Sequence, residues 1–245
     1  MKTRVLVLAG EGINCERETA RAFTDLGAQA EIVSVRDFLR APKMLLDFQI
    51  FALPGGFSFG DEISSGQVLG LALKDGLKEI WPQFLQQKGL SIGICNGFQI
   101  LMKMGVFGPL SLVANAKHEF QDRWIDLQVE KSKCVWTKNM EGEKLYLPIR
   151  HGEGRIWVSD SKRTETLAQM TEEGTVVLRY EGDPNGSLDR IAGLCDSTGQ
   201  VLGLMPHPEA ALSEFLVPDK TQTPKVKLHT QLFKNALHFA QENHL

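Results

Sequence analysis

Short apolar runs alternate with helical stretches along the N-terminal part of the chain. The apolar runs predict buried strands at residues 4–9, 30–35, 49–53 and 90–94. Apolar positions at helical spacing predict helices over 15–26, 67–87 and 98–104. Strands and helices in this alternation build a parallel sheet that helices cover on both faces. We therefore expect a doubly wound α/β fold.

Beyond residue 124 the predicted strands lie closer together along the chain. They cover residues 124–130, 134–137, 145–149, 175–180, 191–195 and 200–204. Short connections suit antiparallel pairing, so this half should extend the parallel sheet. Apolar positions near helical spacing over 225–242 predict a C-terminal helix. The chain, residues 1–245, is expected to form a single α/β domain with a mostly parallel, flavodoxin-like central sheet extended by antiparallel strands.

Charge and cysteine content narrow the classes of function. The 27 Lys and Arg residues against 30 Asp and Glu residues give a net charge of −3, which offers no basic field to a nucleic-acid backbone. The chain has no apolar run of about 18 residues that could span a bilayer. Its four cysteines are far apart, which is typical of free thiols in a reducing compartment. We expect a cytoplasmic protein that binds neither nucleic acid nor membrane.

The sequence Gly-Ile-Cys-Asn-Gly at residues 93–97 joins the predicted strand to the helical run that follows. It has the form of a nucleophile elbow, with cysteine where α/β-hydrolases carry serine. Such a turn strains the backbone, and Gly93 and Gly97 would let strand and helix approach each other. The helix N-terminus would also favour the thiolate. Cys95 is the candidate nucleophile; a small buried residue in an ordinary turn is the alternative.

A base for this thiol is predicted in Met-Pro-His-Pro-Glu at residues 205–209, directly after a predicted hairpin. Pro206 and Pro208 restrict the backbone, which suits an imidazole that must keep one orientation. His207 would take the thiol proton and return it to the leaving group, while Glu209 would orient the ring.

An oxyanion-binding loop is predicted at Pro-Gly-Gly-Phe, residues 54–57, directly after the strand at 49–53. Parallel strands end at the same edge of a sheet, so this loop and Cys95 should be neighbours. Backbone N–H groups of Gly56 or Phe57, together with that of Asn96, would stabilise a developing oxyanion. The residues assigned to this part of the site are Gly55, Gly56, Phe57 and Asn96.

The remaining cysteines and histidines give weaker signals. Core thiols are expected at Cys15, Cys134 and Cys195. Surface or packing roles are expected for His229 and His238, which have no partner at ligand spacing. No metal site is predicted. His151 is the fallback base, because its loop contains glycines and the neighbouring Glu153 could orient its ring.

Two of these motifs together resemble the signatures of class I, or triad, glutamine amidotransferases. They are Cys-Asn-Gly-Phe-Gln at 95–99 and Met-Pro-His-Pro-Glu at 205–209. Further stretches are similar to the glutaminase subunits of phosphoribosylformylglycinamidine synthase. These are Pro-Gly-Gly-Phe-Ser-Phe-Gly-Asp at 54–61, His-Gly-Glu-Gly-Arg at 151–155, Asn-Gly-Ser at 185–187 and Asn-Cys at 14–15. The resemblance runs nearly from end to end of the chain.

The resemblance implies that Cys95, His207 and Glu209 hydrolyse glutamine to glutamate and ammonia through a thioester. It implies that the amino-acid end of glutamine is held by Gln99 and by the segment 115–120, in which Asn115 and Phe120 are the assigned residues. Ammonia would pass through a channel to a large synthetase subunit, which makes formylglycinamidine ribonucleotide from formylglycinamide ribonucleotide in purine synthesis. No cofactor is expected in this chain, which has no GxxxxGK[ST] loop; ATP and Mg²⁺ would bind the partner.

The sequence departs from that family in a few positions and leaves alternatives open. Ala210 stands where arginine is common, residues 62–65 differ from the usual continuation, and the long connection 213–224 has no assigned role. The need for a small third subunit is also open. Alternatives are an amidotransferase for another acceptor, a cysteine hydrolase on the same scaffold, or a binding subunit without turnover. Gln99 and the His-Pro-Glu sequence favour an amidotransferase, and a binding subunit would not need the complete triad.

Overall fold

The computed structural model describes residues 2–58, 64 and 66–243. The strands are β1 Arg4–Ala9, β2 Gln29–Ser34, β3 Ile50–Leu53, β4 Leu90–Ile94, β5 Ser111–Ala114, β6 Gln121–Val129, β7 Lys144–His151, β8 Glu153–Trp157, β9 Val176–Tyr180, β10 Ile191–Cys195 and β11 Val201–Leu204. The helices are α1 Glu16–Thr24, α2 Val35–Arg40, α3 Gln67–Gly76, α4 Ile80–Gln86, α5 Asn96–Met104, α6 Arg163–Glu173 and α7 Val226–Asn243.

A nine-stranded sheet runs through the molecule in the order β2-β1-β3-β4-β11-β10-β9-β6-β7. From β2 to β11 the neighbouring strands are parallel, and from β11 to β7 they are antiparallel. Strands β5 and β8 form a separate antiparallel pair. The predicted α/β fold, with a parallel sheet extended by antiparallel strands, is confirmed.

The central strands are apolar because both faces of the sheet are covered. Every residue of β3 and β4 is buried, as expected for parallel strands between helical layers. Phe51 of β3 stacks on Phe38 of α2 with ring centroids 5.3 Å apart, and also contacts Trp81 of α4. Because β3 and β4 are adjacent and parallel, the segments that follow them emerge at the same edge of the sheet.

Two predicted elements take a different form. Residues 134–137, predicted as a strand, contain the 3₁₀ turn Val135–Thr137. Trp136 is fully buried and donates its indole N–H to the Gln200 carbonyl at 3.1 Å, so its apolar character reflects a core anchor rather than a strand. The predicted helix 67–87 is two helices, because α3 ends at Gly76 and α4 begins again with Pro82 in its first turn, where no donor is needed.

Four elements were not predicted: α2, α6, β5 and β8. The unplaced connection 213–224 contains most of the 3₁₀ segment Lys220–Lys225 and a highly exposed Phe215. Residues 59–61 of the loop motif and Glu62, Ile63 and Ser65 of its continuation lie outside the described residues. In the described part, none of the helices combines the length and the apolar character that a membrane crossing requires.

Candidate active site

Cys95 lies on a strained turn between β4 and α5. Its backbone angles are φ 52° and ψ −105°, a region that typically costs about 1–3 kcal/mol for a residue with a Cβ. Its N–H donates to the Leu204 carbonyl of β11 at 2.8 Å, which holds the turn in place. A Cβ on Gly97 would overlap the Leu53 carbonyl, and one on Gly93 would lie 2.6 Å from the Gly97 carbonyl oxygen. The sharp turn therefore requires both glycines.

His207 and Glu209 form a buried pair beside this turn. The backbone N–H of His207 donates to the Pro148 carbonyl at 2.9 Å, and this bond joins the segment after β11 to β7. The His207 ring Nδ1 lies 2.6 Å from Glu209 Oε1, and the two side chains are only 3% and 1% exposed. In the neutral ring this bond places the proton on Nδ1 and leaves Nε2 as the basic nitrogen.

The electrostatics of this pair favour a charged imidazole. Burial by itself lowers the pKa of His207, but the Glu209 carboxylate opposes it, together with the neighbouring thiols of Cys15 and Cys95 and the charge on Cys95. The pKa of His207 is therefore raised well above its ordinary value. An imidazole that holds a proton next to a thiol can support the thiolate that attacks a carbonyl carbon.

The loop after β3 lies against the cysteine and the imidazole. Gly55 accepts backbone N–H groups from Asn14 and Cys15, each at 3.2 Å. The Phe57 N–H donates to the Gly12 carbonyl at 2.6 Å, so it is already engaged. Among the described residues, the N–H groups of Gly56 and Asn96 have no protein acceptor. Of the donors considered from sequence, these two are available to an oxyanion.

Two cavities meet at Cys95. The first, of about 170 Å³, is lined by Gly56, Phe57, Cys95, Gln99, Phe120, Arg150, His151, Gly152 and Glu153. The second, of about 150 Å³, is lined by Asn14, Cys15, Gly56, Phe57, Cys95, Phe120, Asp122, Arg150 and His207. Phe57 and Phe120 contact each other with ring centroids 6.2 Å apart. The nucleophile candidate therefore faces both cavities, while Gly55 lines neither.

Gln99 belongs to a chain of hydrogen bonds under the first cavity. The Ser58 N–H donates to Asn96 Oδ1 at 3.2 Å, and Asn96 Nδ2 donates to Gln99 Oε1 at 2.9 Å. Gln99 Nε2 in turn donates to the Glu153 carbonyl. This chain ties the loop after β3 to α5 and to the start of β8. Gln99 thus lines the cavity and also holds the backbone of Glu153, which forms part of the cavity wall.

Asn115 lies behind the cavity wall and orients His151. Its Nδ2 donates to the carbonyls of Glu119 and His151, both at 2.9 Å. Its Oδ1 accepts the Gly154 N–H at 3.2 Å and lies 3.2 Å from His151 Nδ1. The His151 ring therefore carries its proton on Nδ1. Burial, and secondarily the charge of His207, lowers the pKa of His151 to about 4, so the fallback base is neutral and its buried Nε2 is an acceptor.

Cys15 corrects one expectation from the sequence. Cys134 and Cys195 are buried as predicted, but Cys15 is only half-buried and lines the second cavity next to His207. Its Sγ lies 3.3 Å from Asn14 Oδ1. Arg150, whose carbonyl oxygen lies 3.6 Å from Cys95 Sγ, was also not identified from the sequence. The pair Asn14-Cys15 in the family resemblance was the sequence signal that pointed to Cys15.

Comparison with known proteins assigns the family. The family model for the CobB/CobQ-like glutamine amidotransferase domain matches residues 2–240. The chain belongs to this family. Subunit PurQ of phosphoribosylformylglycinamidine synthase from Methanococcus maripaludis strain C5 is 35% identical, covering 98% of this chain and 99% of the relative. The corresponding subunit of Dehalococcoides mccartyi is 38% identical, covering 85% of each chain.

The relatives include a solved structure. A chain in the structure of PurLQS from Thermotoga maritima is 33% identical to this amidotransferase and superposes with a TM-score of 0.76. The match covers 98% of this chain and 99% of that chain. The similarity therefore extends over the whole fold of the amidotransferase and includes both halves of its sheet.

His229 connects the C-terminal helix of this amidotransferase to the candidate active site. The residue was expected to have a surface or packing role, and it is fully buried on α7. Its Nδ1 lies 2.9 Å from the Ala211 carbonyl oxygen, at the end of the short 3₁₀ segment that carries Glu209. The Tyr146 N–H of β7 donates to its Nε2 at 3.3 Å. A neutral imidazole with the proton on Nδ1 satisfies both partners.

Acid should destabilise the protein through His229. Burial, and secondarily the charge of Lys225, lowers its pKa from 6.5 to about 4 against the opposing hydrogen bond to Ala211. His229 therefore binds a proton below pH 6.5 in the unfolded chain, but only below about pH 4 in the folded chain. Between about pH 7.5 and 5, the unfolding free energy of the wild type should fall by about 2 kcal/mol more than that of His229→Gln. Urea denaturation at both pH values measures this difference.

The control for this prediction is His238→Gln, an exposed histidine on the same helix. The unfolding free energy of His238→Gln should depend on pH as that of the wild type does. An equal loss of stability in wild type and His229→Gln would show that the buried imidazole does not govern acid sensitivity.

Proposed function

We propose that this chain is the glutaminase subunit of a phosphoribosylformylglycinamidine synthase. It hydrolyses glutamine to glutamate and ammonia and supplies the ammonia to a synthetase subunit, which converts formylglycinamide ribonucleotide to formylglycinamidine ribonucleotide in purine biosynthesis. The supporting observation is a cysteine on a strained turn beside a buried His207–Glu209 pair with a 2.6 Å hydrogen bond. The chain also resembles PurQ subunits over nearly its full length.

In the first half-reaction, the Cys95 sulfur attacks the carboxamide carbon of glutamine. His207 takes the thiol proton, and Glu209 stabilises the resulting imidazolium. The carbonyl oxygen becomes an oxyanion, for which the N–H groups of Gly56 and Asn96 are the proposed donors. Asn96 also begins α5, so the positive end of the helix dipole adds to the stabilisation.

Collapse of this intermediate breaks the carbon–nitrogen bond. His207 donates its proton to the departing nitrogen, which leaves as ammonia, and the γ-glutamyl group stays on Cys95 as a thioester. Water then gives a proton to His207 and attacks the thioester carbon. The carbon–sulfur bond breaks, and glutamate and the free thiol are formed.

The two cavities suggest how glutamine lies in the site. The first cavity contains polar groups suited to an amino acid, including the acceptor Nε2 of His151 and the side chain of Gln99. The amino-acid end of glutamine is therefore proposed to occupy it, with the carboxamide at Cys95. Phe120 at the mouth would cover the bound substrate. Asn115 acts indirectly in this proposal, by holding His151 and the backbone around it.

The proposed partner is a large synthetase subunit that binds ATP and Mg²⁺. The relative in the PurLQS structure supports an assembly of this kind. Without its partner, the chain is expected to have weak glutaminase activity. Docking would complete the oxyanion loop and couple glutamine hydrolysis to the synthetase, as loop closure does in many enzymes.

Glutamate release tests this function. The pure chain should release glutamate slowly, and the synthetase subunit with ATP and formylglycinamide ribonucleotide should raise the rate by at least about tenfold. A Cys95→Ala chain is the control and should release none. If the synthetase subunit does not change the rate of glutamate release, the ammonia is used for another acceptor. Release from peptide or ester substrates but never from glutamine would instead indicate a cysteine hydrolase.

A further inference from the structure

A third potential ligand group lies beside the histidine and glutamate of the site. One ligand atom each from Cys15, His207 and Glu209 lies within 4.8 Å of the other two. Thiolate, imidazole and carboxylate are the groups that bind Zn²⁺ in proteins. The proposed reaction uses His207 and Glu209 with Cys95, and it gives Cys15 no role.

The backbone holds Cys15 in this position. Cys15 precedes α1, its N–H donates to the Gly55 carbonyl at 3.2 Å, and its carbonyl accepts the hydroxyl of the buried Thr19 at 2.7 Å. A Cβ on Gly55 would lie 2.6 Å from His207 Cε1 and 3.4 Å from Cys15 Sγ. The thiol and the imidazole therefore both lie where a side chain at position 55 would be, and glycine leaves room for them.

Two atoms of this cluster are buried without a partner. His207 Nε2 and Glu209 Oε2 make no hydrogen bond within the described part of the chain. Their side chains are only 3% and 1% exposed. A buried polar atom without a partner destabilises the fold. A divalent cation would take the place of the imidazole proton, accept electron pairs from the ring nitrogen and the carboxylate, and balance the charges of the thiolate and the carboxylate.

We propose that Cys15, His207 and Glu209 form a binding site for a soft divalent metal ion such as Zn²⁺ or Cd²⁺, and that the bound ion inhibits the enzyme. The protons on the coordinating sulfur and nitrogen leave to solvent as the metal binds. The second cavity, of about 150 Å³, adjoins the cluster and has room for a water molecule as a fourth ligand. Metal binding does not depend on the proposed function; the inhibition does, because it removes His207 from proton transfer.

Cadmium titration of the metal-free chain tests the site directly. The wild type should bind one Cd²⁺ and gain the ultraviolet charge-transfer absorbance of a cadmium thiolate. Cys15→Ser should bind at least about tenfold more weakly and lose that absorbance, because it lacks the thiolate ligand. The buried Cys134→Ser is the matched control and should behave as the wild type. Cys95→Ala should keep the absorbance. Loss of the signal in Cys95→Ala and its retention in Cys15→Ser would overturn the proposal.

Inhibition is measured separately, with the chain in complex with its synthetase partner. Zn²⁺ should inhibit glutamate release from the wild type reversibly, with activity recovered by a chelator. Cys15→Ser should need at least about tenfold more Zn²⁺ for the same inhibition. Equal inhibition of both would mean that the ion binds the nucleophile instead. If the chain binds cadmium through Cys15 but never hydrolyses glutamine, the metal site stands and the proposed function fails.

Glu209→Gln provides a second variant in case Cys15 variants do not fold. It preserves the shape of the side chain but removes the carboxylate ligand, so cadmium should bind more weakly and raise its melting temperature less than that of the wild type. A wild-type melting temperature that does not respond to cadmium would contradict the site.

Discussion

Replacing Cys95 with alanine is expected to abolish glutamine-dependent amidine synthesis, by at least about 10³-fold, because removing a nucleophile leaves no route to the thioester. Synthesis from added ammonium salt should continue, because the synthetase subunit would use ammonia directly. The measurement is the rate of amidine formation by the assembled enzyme with each nitrogen source in turn. The turn itself should survive, since alanine is no larger than cysteine at this position.

The ammonium reaction is the internal control for this prediction. Cys134→Ser, in a buried site outside both cavities, is the matched variant and should use glutamine and ammonium at wild-type ratios. Loss of both reactions in Cys95→Ala would contradict the proposed division of labour between glutaminase and synthetase.

Replacing Gly55 with alanine should lower kcat for glutamine hydrolysis by about 10²-fold, the usual cost of misplacing a catalytic group by about 1 Å. The new Cβ would lie 2.6 Å from His207 Cε1. The Gly55 carbonyl accepts two backbone N–H groups at 3.2 Å, so the loop cannot easily retreat. The imidazole must move instead, which disturbs its 2.6 Å bond to Glu209. KM should change less, because Gly55 lines neither cavity.

Gly76→Ala is the control for steric effects of an added methyl group. This glycine ends α3, and a Cβ there would meet only the flexible side chain of Leu39, at 3.3 Å. It should keep full activity and stability. Steady-state kinetics and urea denaturation of both variants separate a displaced imidazole from a loss of folding. A normal kcat in Gly55→Ala would show that the position of the His207 ring does not depend on the glycine at position 55.

Much of the fold could be predicted because its signals are local. The bounds of β1 and β4 match the predicted strands at 4–9 and 90–94, since continuous apolar runs bounded by polar residues and glycine leave few alternatives. The parallel order of β3 and β4 then places the loop at 54–57 beside Cys95. The residues proposed as catalytic lie together for the same reason: each follows a strand that ends at one edge of the sheet.

Other features of the site depend on contacts between distant parts of the chain. The family resemblance assigns Asn115 to the segment that holds glutamine, and in the structure this residue lies behind the cavity wall and orients His151. His229 bonds to Ala211 and Tyr146, which belong to other elements. No spacing along the chain indicates such bonds, because hydrogen bonds of buried side chains are set by whichever backbone groups packing leaves unpaired.

The sequence by itself determined the parallel sheet, the sharp turn at Cys95 and the His-Pro-Glu segment, because apolar runs, glycines and prolines restrict the backbone within a few residues. Only the tertiary structure decided which donor is free for an oxyanion: it engages the Phe57 N–H with Gly12 and leaves that of Gly56 available. It also decided that Cys15 faces His207. Both outcomes follow because the connection between β1 and α1 meets the loop after β3, and this contact depends on packing rather than on either segment alone.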